Sequence, residues 1–384
     1  MKNPLVKKLF FALGVIMVIS LIVLGWRELQ PKKPIPDLIE LPERGGQVTD
    51  APLDAPLTET TPVDTNQPTT TNQSATTGSN IVKLLFDQPL GFISVAYPYL
   101  YAYDYTDKNL KAFDLENKTF RELYGGDEIG FVSFSPFKNL IAFKRRVAGV
   151  ERFYLLDLIR DKVLPLNFFV KKINWGDGDD LFYYYSNNSG VNYIGRITNG
   201  QDSKLLDLGL LNPSFEFRQG KLLSASERQS PLFMINPSSG ERQTLVTSKP
   251  FISFKSSLKY LFVSYPAEGN AAWKSFLLSP NGSALYSFNW GTLAQKCSLK
   301  EMLICGVPTD QNLIGLPEDW LEFRKSFSDR LIVFDPTKSD LREVSLGEGF
   351  DVVSPEITPL GVIFQNRLDS KVYLVPLERL SSTQ

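Results

Sequence analysis

The sequence contains no histidine and only two cysteines among its 384 residues. Histidine is the usual general base near neutral pH and the commonest transition-metal ligand in proteins. Its absence excludes Ser-His-Asp and Cys-His nucleophiles and any zinc site that needs imidazole. An enzymatic reaction would therefore have to use carboxylates, tyrosine, lysine or a Ser-Lys pair. We expect neither a metal ion nor another cofactor.

Aromatic residues are missing from a long stretch near the amino terminus. Between Pro31 and Asn80 there is no Phe, Trp or Tyr, whereas Pro and Thr recur, as in "TETTPVDTNQPTTTNQSATTGSN". Such a segment cannot bury enough apolar surface to offset the entropy lost when it is ordered. The sequence therefore predicts a disordered linker over residues 27–80.

An excess of positive charge is missing as well, because 41 basic residues face 42 acidic ones and the formal net charge is -1. Nucleic-acid-binding proteins use such an excess to attract phosphates over long distances. The basic run Lys144, Arg145, Arg146 is only a local patch. We expect no nucleic-acid partner.

One long hydrophobic run is present, "LFFALGVIMVISLIVLGW", from Leu9 to Trp26. Its 18 uncharged residues at about 1.5 Å each cross most of a roughly 30 Å hydrocarbon core as a helix. A cleavable signal peptide is the alternative, but small residues are missing from the positions of an A-x-A-like cleavage site. The sequence favours an uncleaved transmembrane signal anchor preceded by a cytoplasmic tail, residues 1–8.

Basic residues flank this run on both sides, so charge alone does not orient it. A Thr/Pro tether of about 50 residues has a coil-like reach of roughly 40 Å, which suits a domain held clear of a bacterial membrane and its wall. We expect a single-pass membrane protein whose remaining domain is extracytoplasmic, in the periplasm or at the cell surface.

The chain beyond residue 80 contains internal repeats at a spacing near 40 residues. In each repeat a short alternating strand enters a polar turn, leaves as an aromatic or aliphatic strand, and is followed by a third and a shorter fourth strand. Four segments show the first two strands: "FVSFSPFKNLIAFK", "KKINWGDGDDLFYYYS", "PSFEFRQGKLLSAS" and "FISFKSSLKYLFVS". Four antiparallel strands at this period are typical of a propeller blade.

Seven such units predict an all-β, seven-bladed β-propeller over residues 81–384, although six or eight blades remain alternatives. The last unit has only three evident strands. Its outer strand is expected to be "IVKLLF", Ile81 to Phe86, because closure by both chain ends removes an open sheet edge. The first strands of the units begin near Gly91, Gly130, Lys171, Pro213, Pro250, Ala294 and Gly349.

Acidic residues between strands are expected to serve chain reversal. "NWGDGDDLFYYY" places Asp177, Asp179 and Asp180 between the first and second strands of a unit, where Asp and Gly suit hairpin turns. A calcium loop would need further oxygen ligands at alternating positions, but Leu181 follows. Asp114, Asp157 and Asp335 each end a third strand, and these repeated positions indicate a shared turn role.

The segment "SFSPFKNLIAFKRRVAGVERFYLLDL" resembles TolB-like and WD40-like propeller repeats. The resemblance includes Ser135, Pro136, "IAF" at 141–143, and Asp157, whereas Phe137 and Lys138 replace the Asp-Gly of that pattern. It implies a fold and no activity. The sixth unit, "KCSLKEMLICGVP", is similar to uncharacterised membrane-anchored propeller proteins of small-genome uncultured bacteria, which implies a cell-envelope address.

Cys297 and Cys305 flank the first hairpin of the sixth unit. Seven residues separate them, which places them opposite each other on neighbouring strands. Outside the cytoplasm this favours a cross-strand disulfide, and two buried free thiols are the alternative.

The sixth unit also carries an insertion, Thr309 to Ser328, between its second and third strands. Long loops on a rigid scaffold commonly serve recognition, and an aromatic residue with flanking charges is typical of a protein-binding hot spot. The alternative is that Trp320 packs inward and seals the ring. The predicted partner-binding residues on this face are Trp320, Arg324, Glu318, Asp319, Trp273, Arg145, Arg146 and Arg152.

Two functions fit these features. The first is a membrane-tethered, non-enzymatic propeller that binds or scaffolds a protein or cell-envelope component. The second is a carboxylate-based carbohydrate-active enzyme, a glycoside hydrolase or lyase, since two carboxyl groups suffice for glycoside chemistry. Its candidate acids are Glu151, Glu268, Glu318 and Asp319.

Overall fold

The computed structural model describes residues 81–125, 128–147, 149–210, 212–226, 229–267 and 272–381. The predicted tail, membrane span and linker lie outside these residues. Among the described residues we find no helix whose length and hydropathy would carry it across a lipid bilayer.

The described residues form seven four-stranded antiparallel sheets, which confirms the predicted seven-bladed propeller. Strands follow one another in chain order within blades one to six. Blades one to four comprise β2 (Leu90–Ala96), β3 (Tyr99–Asp104), β4 (Asn109–Asp114), β5 (Thr119–Gly125); β6 (Ile129–Phe134), β7 (Leu140–Val147), β8 (Val150–Asp157), β9 (Lys162–Pro165); β10 (Val170–Trp175), β11 (Leu181–Ser186), β12 (Asn192–Thr198), β13 (Gln201–Asp207); β14 (Pro213–Arg218), β15 (Lys221–Ser226), β16 (Gln229–Ile235) and β17 (Arg242–Pro250).

Blades five to seven follow the same plan, with additions in blade six and at the end of the chain. A 3-10 turn over Ala294–Lys296 precedes blade six. The elements are β18 (Ser253–Ser256), β19 (Leu261–Pro266), β20 (Trp273–Leu278), β21 (Ala284–Phe288); β22 (Cys297–Leu299), β23 (Leu303–Pro308), α1 (Glu318–Leu321), β24 (Asp329–Asp335), β25 (Asp340–Ser345); β26 (Val352–Thr358), β27 (Gly361–Asn366), β28 (Val372–Pro376) and α2 (Leu377–Ser381).

Both chain ends contribute to the seventh blade, as the sequence predicted. Its strand order is β1-β28-β27-β26, where β1 spans Lys83–Phe86. Lys83 lies opposite Leu374 in an antiparallel pair. The first strands β26 and β2 also contact each other, so the ring is closed between blades seven and one.

The apolar core lies between the blades. Each of the seven gaps between adjacent blades contains its own cluster of buried apolar side chains. Strand β11 shows how the sequence meets this requirement, because side chains alternate between the two faces of a strand. Leu181 and Tyr183 pack toward blade two, and Phe182 and Tyr184 pack toward blade four.

The acidic turns have the predicted structural role, with one addition. Asp177, Asp179 and Asp180 lie in the connection between β10 and β11. Asp177 Oδ2 accepts a hydrogen bond from the backbone amide of Gln219 in blade four at 2.6 Å. Asp179 accepts one from Asn139 in blade two at 3.4 Å. The same residues that turn the chain therefore also connect neighbouring blades.

The three aspartates at the ends of third strands share one turn role, as predicted. Asp114 Oδ1 accepts hydrogen bonds from the backbone amides of the residues two and three positions later, both at 2.9 Å. Asp157 does the same at 3.0 Å. Asp335 accepts one from the amide of Thr337 at 2.9 Å. In each case the side chain satisfies backbone donors that a tight turn would leave unpaired.

Candidate functional site

The insertion of blade six, residues 309–328, packs against one face of the propeller. Its two ends are held together by the backbone amide and the hydroxyl of Thr309, which donate to the Ser328 carbonyl at 2.9 and 2.8 Å. Trp320, in α1, is only 4% exposed and packs in an apolar cluster that also contains Trp273. Trp320 therefore packs inward, which is the alternative that the sequence left open, and Trp273 is buried beside it.

A buried group of charges beneath Trp320 explains its direction. Both side-chain oxygens of Asp351 accept a hydrogen bond from the indole nitrogen, at 3.1 and 3.0 Å. Lys296 forms ion pairs with Asp351 and with Asp329, the latter at 2.7 Å. Burial of the Asp329 carboxyl raises its pKa to about 6, although the Lys296 ammonium acts in the opposite direction. We call Lys296, Asp329 and Asp351 the buried charge cluster.

Arg367, in the blade-seven loop, joins this cluster to the surface. Its guanidinium lies 3.5 Å from Asp351 and donates to the Trp320 carbonyl oxygen. It also lies over two rings, with its central carbon 4.6 Å from the Trp320 centroid and 3.8 Å from the Phe323 centroid. The insertion is thereby fixed to blade seven by a cation stacked between an inner and an outer aromatic ring.

Three large apolar side chains are exposed on the outer surface of the insertion, among polar and charged residues. Ile314, Leu321 and Phe323 are exposed by 65%, 52% and 76%, and we call these three residues the insertion patch. Arg324 lies beside them, paired with Asp319 and Glu322, both at 3.0 Å. An anchored loop that presents three large apolar side chains to water is typical of an interaction surface.

A cavity of about 340 Å³ lies beside the insertion patch. Glu216 is its most buried charged group, and its Oε2 accepts hydrogen bonds from the amide and hydroxyl of Ser256 at 2.7 and 2.6 Å. The lining combines the first strands of blades four and five, the segment before blade six and α1: Ser214, Phe215, Glu216, Phe251, Ile252, Ser253, Phe254, Lys255, Ala294, Gln295, Pro317, Glu318 and Leu321.

The other predicted partner-binding residues are not brought to this cavity. Arg145, Arg146 and Arg152 belong to the β7–β8 hairpin of blade two. Arg146 pairs with Glu151 at 3.1 Å, Arg145 donates to the Tyr124 hydroxyl at 2.6 Å, and Arg152 donates to a backbone carbonyl at 2.5 Å. These contacts stay within blade two or join it to blade one, so the cavity and the blade-two arginines do not form one site.

The four candidate acids are also separated. Glu151 is in blade two, and Glu268 lies outside the described residues. Glu318 and Asp319 are neighbours in α1, where Asp319 is committed to Arg324. Sequence reasoning missed Glu216, which shares the cavity with Glu318. The sequence offered only a weak indication of Glu216. It is a carboxylate in a first strand, "PSFEFR", at the position where the first strand of blade five has a lysine. In the described part of the chain, no three His, Cys, Asp or Glu side chains converge to hold a metal ion.

Cys297 and Cys305 are joined by a disulfide with a sulfur-sulfur distance of 2.11 Å. They lie directly opposite each other on β22 and β23. The disulfide cross-links the β22–β23 hairpin. Lys296 of the buried charge cluster immediately precedes Cys297, so the cross-link lies next to that cluster in the chain.

Comparison with known proteins identifies the fold. No family model and no curated protein matches the sequence. Among solved structures, an uncharacterised protein from Listeria monocytogenes is similar, with 14% identity and a TM-score of 0.52 over 75% of this chain and 89% of that chain. Oligogalacturonate lyase from Vibrio parahaemolyticus matches with 10% identity and a TM-score of 0.53, over 78% and 94%. An oligogalacturonate lyase in complex with manganese matches with 11% identity and a TM-score of 0.51, over 72% and 85%. At these identities the matches establish the propeller fold alone.

Proposed function

We propose that this protein is a membrane-tethered, extracytoplasmic binding module that holds a protein or cell-envelope component at the blade-six insertion. The binding face comprises the insertion patch and the adjoining cavity. Arg324, Glu318 and Asp319 belong to this face, whereas Trp320 and Trp273 support it from below. Catalysis is not part of this function.

The observation that carries the proposal is the contrast between the inner and outer sides of the insertion. On the inner side Trp320 is held by hydrogen bonds to Asp351 and by stacking on Arg367. On the outer side three large apolar residues are exposed. Ordering a 20-residue loop so that it presents apolar surface to water costs free energy, which a partner would recover by covering that surface.

The cellular address rests on the amino-terminal sequence. We propose that Leu9–Trp26 anchors the chain, that residues 27–80 act as a tether, and that the propeller lies outside the cytoplasm. The disulfide between Cys297 and Cys305 supports this address, since disulfides persist in oxidising compartments.

Site-specific photo-cross-linking in the full chain tests the binding face. A photoreactive amino acid at position 323 is expected to yield a defined adduct in membranes that contain the partner. The matched control is position 159, because Ile159 is equally exposed at 76% and follows a third strand on the opposite face of the ring. Identical adducts from both positions, or none from position 323, would refute the proposed face.

One observation favours a second candidate, a carbohydrate-active enzyme. Glu216 and Glu318 line the same cavity, and paired carboxyl groups are the catalytic requirement of most glycoside hydrolases. Two oligogalacturonate lyases share the fold. Incubation of the full chain with oligogalacturonate, in parallel with the Glu216→Gln and Glu318→Gln variants, tests this hypothesis by measuring cleavage. Cleavage that both variants abolish would support it, and no cleavage by the wild type would remove that substrate.

A further inference from the structure

Three charged side chains line the cavity without forming ion pairs. Glu216 lies on β14, Lys255 on β18 and Glu318 on α1. Among the described residues none of the three has an oppositely charged side chain within ion-pair distance. Asp319 and Arg324, on the same insertion, are paired at 3.0 Å. The cavity therefore keeps its charges available, whereas the neighbouring surface neutralises its own.

Glu216 has the most constrained geometry of the three. Its side chain is about nine-tenths buried, and both of its hydrogen bonds, from the amide and hydroxyl of Ser256, reach the same oxygen, Oε2. Its other oxygen, Oε1, takes part in none of the hydrogen bonds of the described residues. A buried carboxylate is costly unless both oxygens have partners. Oε1 is not among the buried side-chain atoms without a partner, so it is accessible, and the two bonds to Oε2 hold it in place as a free acceptor.

The two inner strands present opposite charges at equivalent positions. Residues 214–216 read Ser-Phe-Glu in blade four, and residues 253–255 read Ser-Phe-Lys in blade five. Alternate residues of a strand share a face, so each serine lies on the same side as its charged neighbour. The carboxylate of Glu216 and the ammonium group of Lys255 thus line one cavity from the first strands of two neighbouring blades, and they do not form an ion pair.

The size of the cavity limits its ligand. Ligand pockets commonly measure about 300–1,000 Å³, and a volume of about 340 Å³ lies at the small end of that range. Phe251, Phe254 and Leu321 provide apolar wall. A small molecule with a short apolar body and groups of both charge signs fits this lining.

We propose that the cavity binds a short peptide or amino acid through its free α-ammonium and free α-carboxylate. This inference rests on the proposed function, whose binding face it shares, and adds the chemical class of the ligand. Lys255 receives the carboxylate, and Glu216 receives the ammonium, with Glu318 at the rim. The contact of Lys255 with the carboxylate and that of Glu216 with the ammonium are both charge-assisted hydrogen bonds, which are stronger than hydrogen bonds between neutral groups.

Isothermal titration calorimetry on the full chain, with trialanine as the probe, tests the proposal. We expect trialanine to bind, and both N-acetyl-trialanine and trialanine amide to bind about 10- to 100-fold more weakly, as expected for the loss of one charged hydrogen bond. In Glu216→Gln the penalty for acetylation should shrink, and in Lys255→Met the penalty for amidation should shrink. Equal affinity for all three probes, or no binding of trialanine, would overturn the proposal.

Two controls separate this outcome from that of the proposed function. Lys259→Met removes an exposed lysine that pairs with Glu301 at 2.7 Å, and it should leave all three affinities unchanged. Cross-linking at position 323 reports on the insertion patch, since Phe323 does not line the cavity. Adducts at 323 without trialanine binding would reject the ligand class and keep the binding face, whereas trialanine binding without adducts would keep the ligand class alone.

Discussion

Replacement of Lys296 by Met should destabilise the propeller strongly at neutral pH. The ammonium lies between Asp329 and Asp351 and is 1% exposed, so its removal leaves two buried carboxylates with Arg367 as the remaining nearby cation. Removing one partner of a buried ion pair costs about 3–5 kcal/mol. For a domain of roughly 300 residues, with an unfolding entropy of about 2.1 cal/mol/K per residue, this lowers Tm by about 5–8 °C.

The loss should depend on pH in a defined direction. Burial already raises the pKa of Asp329 to about 6, and removal of the ammonium raises it further. A carboxyl whose pKa is raised in the folded state binds more protons when folded, so its stabilising contribution is present at low pH and is lost as pH rises through that pKa. The deficit of Lys296→Met relative to wild type should therefore be largest above pH 7 and shrink toward pH 5.

Thermal unfolding followed by circular dichroism at pH 5, 6, 7 and 8 measures both effects. The matched control is Lys259→Met, whose exposed pair with Glu301 should contribute little, about 0–1 kcal/mol. Unfolding of Lys296→Met at the wild-type temperature at pH 8, or a deficit that grows on acidification, would contradict this prediction.

Three further changes have expected outcomes. In Asp329→Asn, the group with the raised pKa is gone, so between pH 7 and pH 4 wild type should gain stability relative to the variant, as read from paired Tm values. The double variant Cys297→Ser, Cys305→Ser should lose about 2–3 kcal/mol in urea unfolding, because the cross-link closes a loop with a sequence separation of 8, and wild type in reductant should match it. Deletion of residues 83–86 removes β1 and exposes the β28 edge, so light scattering should detect concentration-dependent association that wild type lacks.

The repeat period was sufficient to predict the ring, and the small errors lie at the ends of strands. The predicted start at Ala294 precedes β22 by three residues, because Ala294–Lys296 forms a 3-10 turn. The predicted start at Pro250 belongs instead to β17, which ends there, and blade five begins at Ser253. Strand existence follows from alternation of side chains, whereas strand ends depend on hydrogen bonds to neighbouring strands that the pattern does not contain.

The candidate site was less predictable, because its determinants are far apart in sequence. The inward orientation of the Trp320 side chain depends on its hydrogen-bond acceptor Asp351, which is 31 residues away in the sequence. The Glu and Arg residues that flank Trp320 do not indicate this contact. Lys296 and Asp351 are separated by 55 residues. Glu216 and Lys255 look like ordinary strand residues until the ring places blades four and five beside the insertion. Long-range contacts of this kind leave no local pattern to read.

The insertion links the stability of the ring to the proposed binding face. α1 is a single helical turn. Its Trp320 donates a hydrogen bond to Asp351 of the buried charge cluster, and its Glu318 and Leu321 line the cavity. Because adjacent residues of one turn cannot move independently, the depth of Trp320 sets the position of both lining residues. The buried charge cluster therefore positions two lining residues of the proposed binding face, although it does not itself line the cavity. It follows that Lys296→Met, through Trp320, should weaken ligand binding at pH 8 more than at pH 5, where protonated Asp329 relieves the repulsion.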